Sequence, residues 1–145
     1  MRADFYLLEK SRFSEQPLLL VCELTRKALA AGQPTLILAR DAGEAQALDD
    51  LLWSFDAEAF IPHRIAGLEG GIDDDDDADV EVLIATPELD LPPRPLMVNL
   101  RPEPVTADCD RVLEIVPADN DARAGSRERW RAYRERGVEV HAHEM

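Results

Sequence analysis

The sequence predicts an α/β fold, read as one domain over residues 1–145, with a mostly parallel sheet and helices on both faces. Three observations predict it. Apolar runs of strand length alternate with stretches whose apolar residues fall at helical spacing, the order of βα units. One of those runs, Thr35-Leu36-Ile37-Leu38-Ala39, is continuously apolar, as a strand covered on both faces reads. With 145 residues, 46% apolar and 32% charged, the chain is large enough to bury a core without disulfide staples.

The elements follow in order. Phe5-Tyr6-Leu7-Leu8 is a short apolar run and predicts a first strand. From 15 to 31, Leu18, Val21, Cys22, Leu24, Ala28 and Leu29 recur at helical spacing, and Gly32 is the stop. A strand at 35–39 comes next. Asp41 with Glu44 three residues on reads as a capping box opening a second helix through Ala45, Leu48, Leu51, Leu52 and Trp53. Phe60-Ile61-Pro62-His63 is a short extended piece. Residues 67–79 read as a polar loop holding five consecutive aspartates, Asp73 to Asp77. Strands are predicted at 80–85, 96–100 and 112–116, with a connector at 87–95 carrying Pro87, Pro92, Pro93 and Pro95. A helix runs from about 119–121 to Gly137, and Val138-Glu139-Val140-His141 alternates as a closing strand. Strands following one another without a helix between them leave room for at least one antiparallel strand.

Charge is distributed unevenly. The net charge is −14, which disfavours a broad nucleic-acid or anionic-membrane surface. Yet residues 121–137 hold six arginines against three acids, a net +3, so the remainder stands at −17. A basic island on an acidic body points to a localised anionic ligand. Cys22 and Cys109 are too few and too far apart for a disulfide framework or a zinc signature, so a reducing cytosol is the expected location. The N-terminal residues lack an apolar run of signal length, and the longest apolar stretch, residues 17–22, is too short to span a bilayer.

Motifs for turnover are missing. The chain has no G-x-x-x-x-G-K-[ST], no G-x-G-x-x-G after the first strand, no G-x-S-x-G and no H-E-x-x-H. Gly67-Leu68-Glu69-Gly70-Gly71 is closely followed by acids, which repel phosphate. The aspartate run lacks the alternating ligand spacing of a calcium loop and reads as solvated chain. His141 and His143 share one strand face at a terminus prone to fray, and no further ligand pair accompanies them. No catalytic residue, metal or cofactor is therefore predicted.

Two constellations remain. On the last helix Arg123, Arg127, Trp130 and Arg134 fall within about 60° of one another, with Arg131 flanking them. Ala122, Ser126 and Tyr133 turn to an adjacent face that can pack on the sheet. Guanidinium forks take carboxylates bidentately, and an aromatic ring supplies an apolar or cation–π surface. This chemistry suits an acidic peptide with a hydrophobic end, or a C-terminal carboxylate, and it would also suit a phosphodiester. The bland reading is a solvated face of intrahelical pairs involving Glu128 and Glu135. Trp53, Phe55 and Phe60 form the second group: protein-binding anchors or simple core rings.

The ordered set Phe5-Tyr6-Leu7-Leu8, Leu20-Val21-Cys22-Glu23, Leu48-Asp49 with Leu52-Trp53, Phe60-Ile61-Pro62-His63 with Ala66-Gly67, and 127–134 before Gly137 resembles the chi subunit of bacterial DNA polymerase III holoenzyme. The resemblance covers nearly the whole chain. It implies a nucleotide-binding-like topology without a phosphate loop or nucleotide activity, and a non-catalytic adaptor role. It implies two partners: the small psi subunit, which leads to the clamp loader, and the acidic C-terminal tail of single-stranded DNA-binding protein. A helicase reached through the psi-binding surface is a further implied partner, and DNA is met only indirectly. By the resemblance, the tail-binding positions are Arg123, Arg127, Trp130, Arg131 and Arg134. Trp130 stands where the family has tyrosine, and Arg131 where it has lysine. Trp53, Phe60, Pro62 and His63 fall on the psi side. The location implied is cytoplasmic, at the nucleoid through the replisome. The alternative is a small α/β enzyme or nucleotide-binding domain with an unrecognised site; direct single-strand binding by the basic helix is a third reading, opposed by the −17 body.

Overall fold

The computed structural model describes residues 1–8, 12–56, 58–66 and 80–144. The glycine cluster and the aspartate run of 67–79 lie outside the described residues. Strand β1 (Arg2–Leu7) leads through a short 3-10 turn (Arg12–Ser14) to helix α1 (Pro17–Ala30). Then come β2 (Thr35–Leu38), α2 (Ala42–Ser54), β3 (His63–Ile65), β4 (Val82–Ala85), β5 (Leu96–Asn99), β6 (Arg111–Val116), α3 (Asn120–Glu135) and β7 (Glu139–Glu144). Local chemistry sets the ends. Pro17 opens α1, where its missing N–H is no loss. Asp41 caps α2 by accepting the Glu44 N–H at 2.7 Å, and Glu44 Oε1 accepts the Arg40 N–H at 2.8 Å. Helices α1 and α3 stop alike. Gly32 and Gly137 turn to φ +71° and +80°, and the next N–H returns to the carbonyl five residues back.

Among the described residues seven strands form one sheet in the order β3-β4-β2-β5-β6-β1-β7, and every pairing is parallel. The room left for an antiparallel strand is thus unused. The connections at 86–95 and 100–110 carry the chain back across the sheet without a helix. The crossover rule explains the layering. The chain steps one way along the sheet through α1 and α2, then the other way through those loops and α3, so the two sets cover opposite faces.

Both faces are packed, as a parallel sheet requires. On one, Leu20, Val21 and Leu24 of α1 and Leu48 and Leu52 of α2 meet Ile37, Ile84, Val98 and Leu113. On the other, Tyr133 of α3, Val105 and the loop residues Leu89 and Leu91 meet Phe5, Leu36, Leu83, Met97 and Val112.

Three strands differ most from the sequence reading. Strand β1 starts at Arg2 because buried Asp4 is held by the side chains of Arg2, Arg111 and His143, a neutralisation no apolar pattern reveals. Strand β3 begins at His63, where the expected extended piece ends. Strand β7 runs to Glu144, so both histidines are paired on β1 rather than frayed. His143 Nε2 lies 2.7 Å from Asp4 Oδ1, and its ring stacks on Tyr6 at 4.9 Å. Among the described residues no three His, Cys, Asp or Glu side chains are placed to share a metal ion, and no helix is long and apolar enough to cross a membrane.

Candidate binding surfaces

Helix α3 supplies the first surface. Its inward side chains are Ser126, Arg129 and Tyr133, all buried, while Arg127, Arg131 and Arg134 are exposed. The ring of Trp130, half-buried, lies 5.0 Å from that of Phe5, and Tyr133 meets the same ring edge-on at 6.0 Å. Between helix and sheet lies a cleft of about 180 Å³, lined by Phe5 and Leu7 of β1, Val116 of β6, and Ser126 and Trp130 of α3. Arg123 and Arg127 complete its wall.

The six arginines of this stretch have different work. Arg129 folds inward, its Nε 2.8 Å from Glu114 Oε1 and its Nη1 on the Pro102 carbonyl. Arg136 donates to the carbonyls of Val105 and Thr106. Arg123 donates from Nε to the Pro117 carbonyl at 3.2 Å while still lining the cleft. Arg127, Arg131 and Arg134 make no ion pair or hydrogen bond among the described residues, so the expected bland pairing with Glu128 or Glu135 is not formed. Arg127 thus stands uncommitted in the wall of the cleft, and exposed Arg131 and Arg134 follow it along the helix.

The second surface is at the β3 edge, on the opposite face. Trp53 near the end of α2 is 58% exposed and Phe60 is 74% exposed, with ring centroids 6.5 Å apart. Phe55 instead packs against the core, with the Arg26 guanidinium 5.9 Å from its ring. Pro62 is half-buried. The His63 side chain is fully covered and supports Trp53 from beneath, ring to ring at 4.6 Å. Its Nδ1 lies 2.6 Å from the Ile61 carbonyl oxygen and its Nε2 3.3 Å from that of Asp49. Trp53 thus meets both Phe60 and His63, with Trp53 and Phe60 facing solvent and His63 covered beneath Trp53. Apart from Met1, Trp53 and Phe60 are the exposed large apolar side chains among the described residues.

Sequence reasoning missed the polar cluster under α3. Glu114, fully buried in the middle of β6, accepts from Asn99 Nδ2, Tyr133 Oη and Arg129 Nε. Burial pushes its carboxyl pKa up, opposed by the Arg129 charge and by the hydrogen bonds from Tyr133 and Asn99. Its one sequence signal is a charge in the apolar run Val112-Leu113-Glu114-Ile115-Val116.

Fold and surfaces together define a class: a parallel α/β sheet protein with an arginine-edged cleft on one face and an exposed aromatic pair at the far edge. Comparison with known proteins makes this particular. The family model described as DNA polymerase III chi subunit, HolC, matches residues 1–141. The DNA polymerase III subunit chi of Pseudomonas aeruginosa is 32% identical over 146 residues, covering 99% of this chain and 96% of the relative. That of Escherichia coli K12 is 33% identical over 153 residues, covering 95% and 94%. The Haemophilus influenzae subunit chi is 25% identical, covering 93% and 91%. The chain belongs to the DNA polymerase III chi subunit family, a family of the DNA replication machinery.

Proposed function

We propose that this protein is a non-catalytic adaptor of the polymerase III holoenzyme. Its α3 cleft captures the acidic C-terminal tail of single-stranded DNA-binding protein, and its Trp53–Phe60 surface binds the psi subunit and through it the clamp loader. The observation that carries the reading is the cleft itself. A pocket of about 180 Å³ between Phe5, Leu7, Val116 and Trp130 suits one apolar terminal side chain. Arg123 and Arg127 stand where a terminal carboxylate would lie, and exposed Arg131 and Arg134 continue along the helix for upstream acids. The surrounding acidic body disfavours a polyanion such as DNA and leaves a short peptide as the fitting ligand. Tethering works by raising local concentration: an adaptor holding two partners makes the second encounter intramolecular.

Titration of an acidic tail peptide into wild type and Arg127→Ala tests the cleft. The expected result is about tenfold weaker binding by the variant, the scale of one charge-assisted contact. Binding should also weaken as salt rises, since solvent-facing charges are screened. Equal affinity of the two proteins refutes the assignment.

A further inference from the structure

Helix α3 is held to the sheet in large part by polar side chains. Small residues fill much of it, with Ala122, Ala124, Gly125, Ser126 and Ala132 along its length. Tyr133 is its one fully buried large side chain among the described residues. Half-buried Trp130 adds a ring contact with Phe5, and the other contacts that hold the helix are polar. Arg129 Nε and Tyr133 Oη donate to the two carboxylate oxygens of Glu114 at 2.8 and 2.6 Å. Arg129 Nη2 donates to Ser126 Oγ at 3.0 Å. Tyr133 Oη accepts the Val105 N–H at 3.0 Å, and Asn99 Nδ2 reaches Glu114 from the neighbouring strand at 2.8 Å.

A buried ion pair is weak ground for stability. Burying an ion pair sacrifices hydration that the pair's own attraction barely restores, and well-packed apolar replacements are often neutral or stabilising. What directional bonds supply is orientation. A helix turns by about 100° per residue, so a modest roll of α3 would carry Trp130 off Phe5 and Arg127 away from the cleft. Gly125 fits the same design. A Cβ there would come within 3.3 Å of Arg129 Nη1, so glycine leaves room for the guanidinium to fold back.

We propose that Glu114, Arg129 and Tyr133 are positioning residues that fix the rotation of α3, and so set Trp130 and Arg127 at the cleft. The proposal rests on reading that cleft as the tail site. Arg129 acts through Glu114 and does not touch the peptide.

The test compares wild type with the apolar triple variant Glu114→Leu, Arg129→Met, Tyr133→Phe, and with Tyr133→Phe alone. Three quantities are read: urea stability, affinity for the acidic tail peptide, and the indole N–H resonance of Trp130 in the free protein. Trp53, the only other tryptophan, is the internal reference. The expected triple variant keeps its fold, binds the peptide about five- to tenfold more weakly, and shows a shifted or broadened Trp130 signal with Trp53 unmoved. A folded variant with unchanged affinity and an unchanged Trp130 signal overturns the proposal. Should the triple variant fail to fold, Tyr133→Phe carries the same readouts, since it keeps the ring against Phe5 and removes only the hydroxyl. Should wild type not bind the peptide, the reading of the cleft fails. The Trp130 signal then decides the positioning role by itself.

Discussion

Replacing Asp4 by asparagine should change how stability depends on acid in a calculable way. Asp4 is fully buried in β1, and burial alone would raise its pKa. Hydrogen bonds from His143, Arg2 and Arg111 outweigh that and bring it from 3.8 down to about 2. The folded protein thus keeps this carboxylate ionised where the unfolded chain has already protonated it. Between those values the unfolded state binds more protons, so stability falls as pH drops. The full shift corresponds to about 2.4 kcal/mol. The side chains of Arg2, Arg111 and His143 are 43%, 35% and 37% exposed, so solvent screens the cluster. A discounted contribution of about 1–2 kcal/mol is the working figure. Urea denaturation from pH 6 to pH 2 measures it. Asp4→Asn should be less stable by that amount near pH 6, and the two curves should converge towards pH 2. The other carboxylates titrate alike in both proteins and cancel. Parallel curves, with a gap that does not close, would refute the argument.

Other perturbations separate structural from binding roles. Phe60→Ala removes a ring that is 74% exposed, so unfolding free energy should change by less than about 0.5 kcal/mol. Psi binding, followed by calorimetry, should be lost. Asp41→Ala removes the α2 cap and should cost about 1 kcal/mol, lowering Tm by about 2–4 °C in calorimetric scans. The Cys22 thiol is pushed up to about 12 by burial, so peptide-resolved alkylation at pH 8 should leave it unlabelled until the protein unfolds. Cys109, half-buried, should label in the native protein, slowly because burial raises its thiol too.

Periodicity made much of the fold legible. Helix α1 and strand β2 were readable within two residues because packing an amphipathic helix on a covered strand demands that apolar pattern. The Asp41–Glu44 signature located the start of α2 because capping is a local hydrogen bond. Polar strands were harder. Arg2, Asp4, His141 and His143 lie in β1 and β7, and their pairing depends on charges that meet only when β6, β1 and β7 are side by side. Strand direction was likewise hidden, because loops without a helix at 86–95 and 100–110 can either reverse the chain or carry it across.

The sequence by itself determined the α/β class, the acidic body with one basic helix, and the aromatic group around Trp53 and Phe60. Each follows from composition or from contacts within a few residues. Only the tertiary structure decided which arginines are available. Helical spacing sets Arg123, Arg127 and Arg134 on one stripe with Arg131 beside it, but it does not show that Arg129 turns inward to Glu114, that Arg136 and Arg123 hold loop carbonyls, or that Arg127, Arg131 and Arg134 remain facing solvent. The reason is physical. A buried carboxylate on a neighbouring strand selects its guanidinium by geometry, and helical spacing carries no record of what lies beneath the helix.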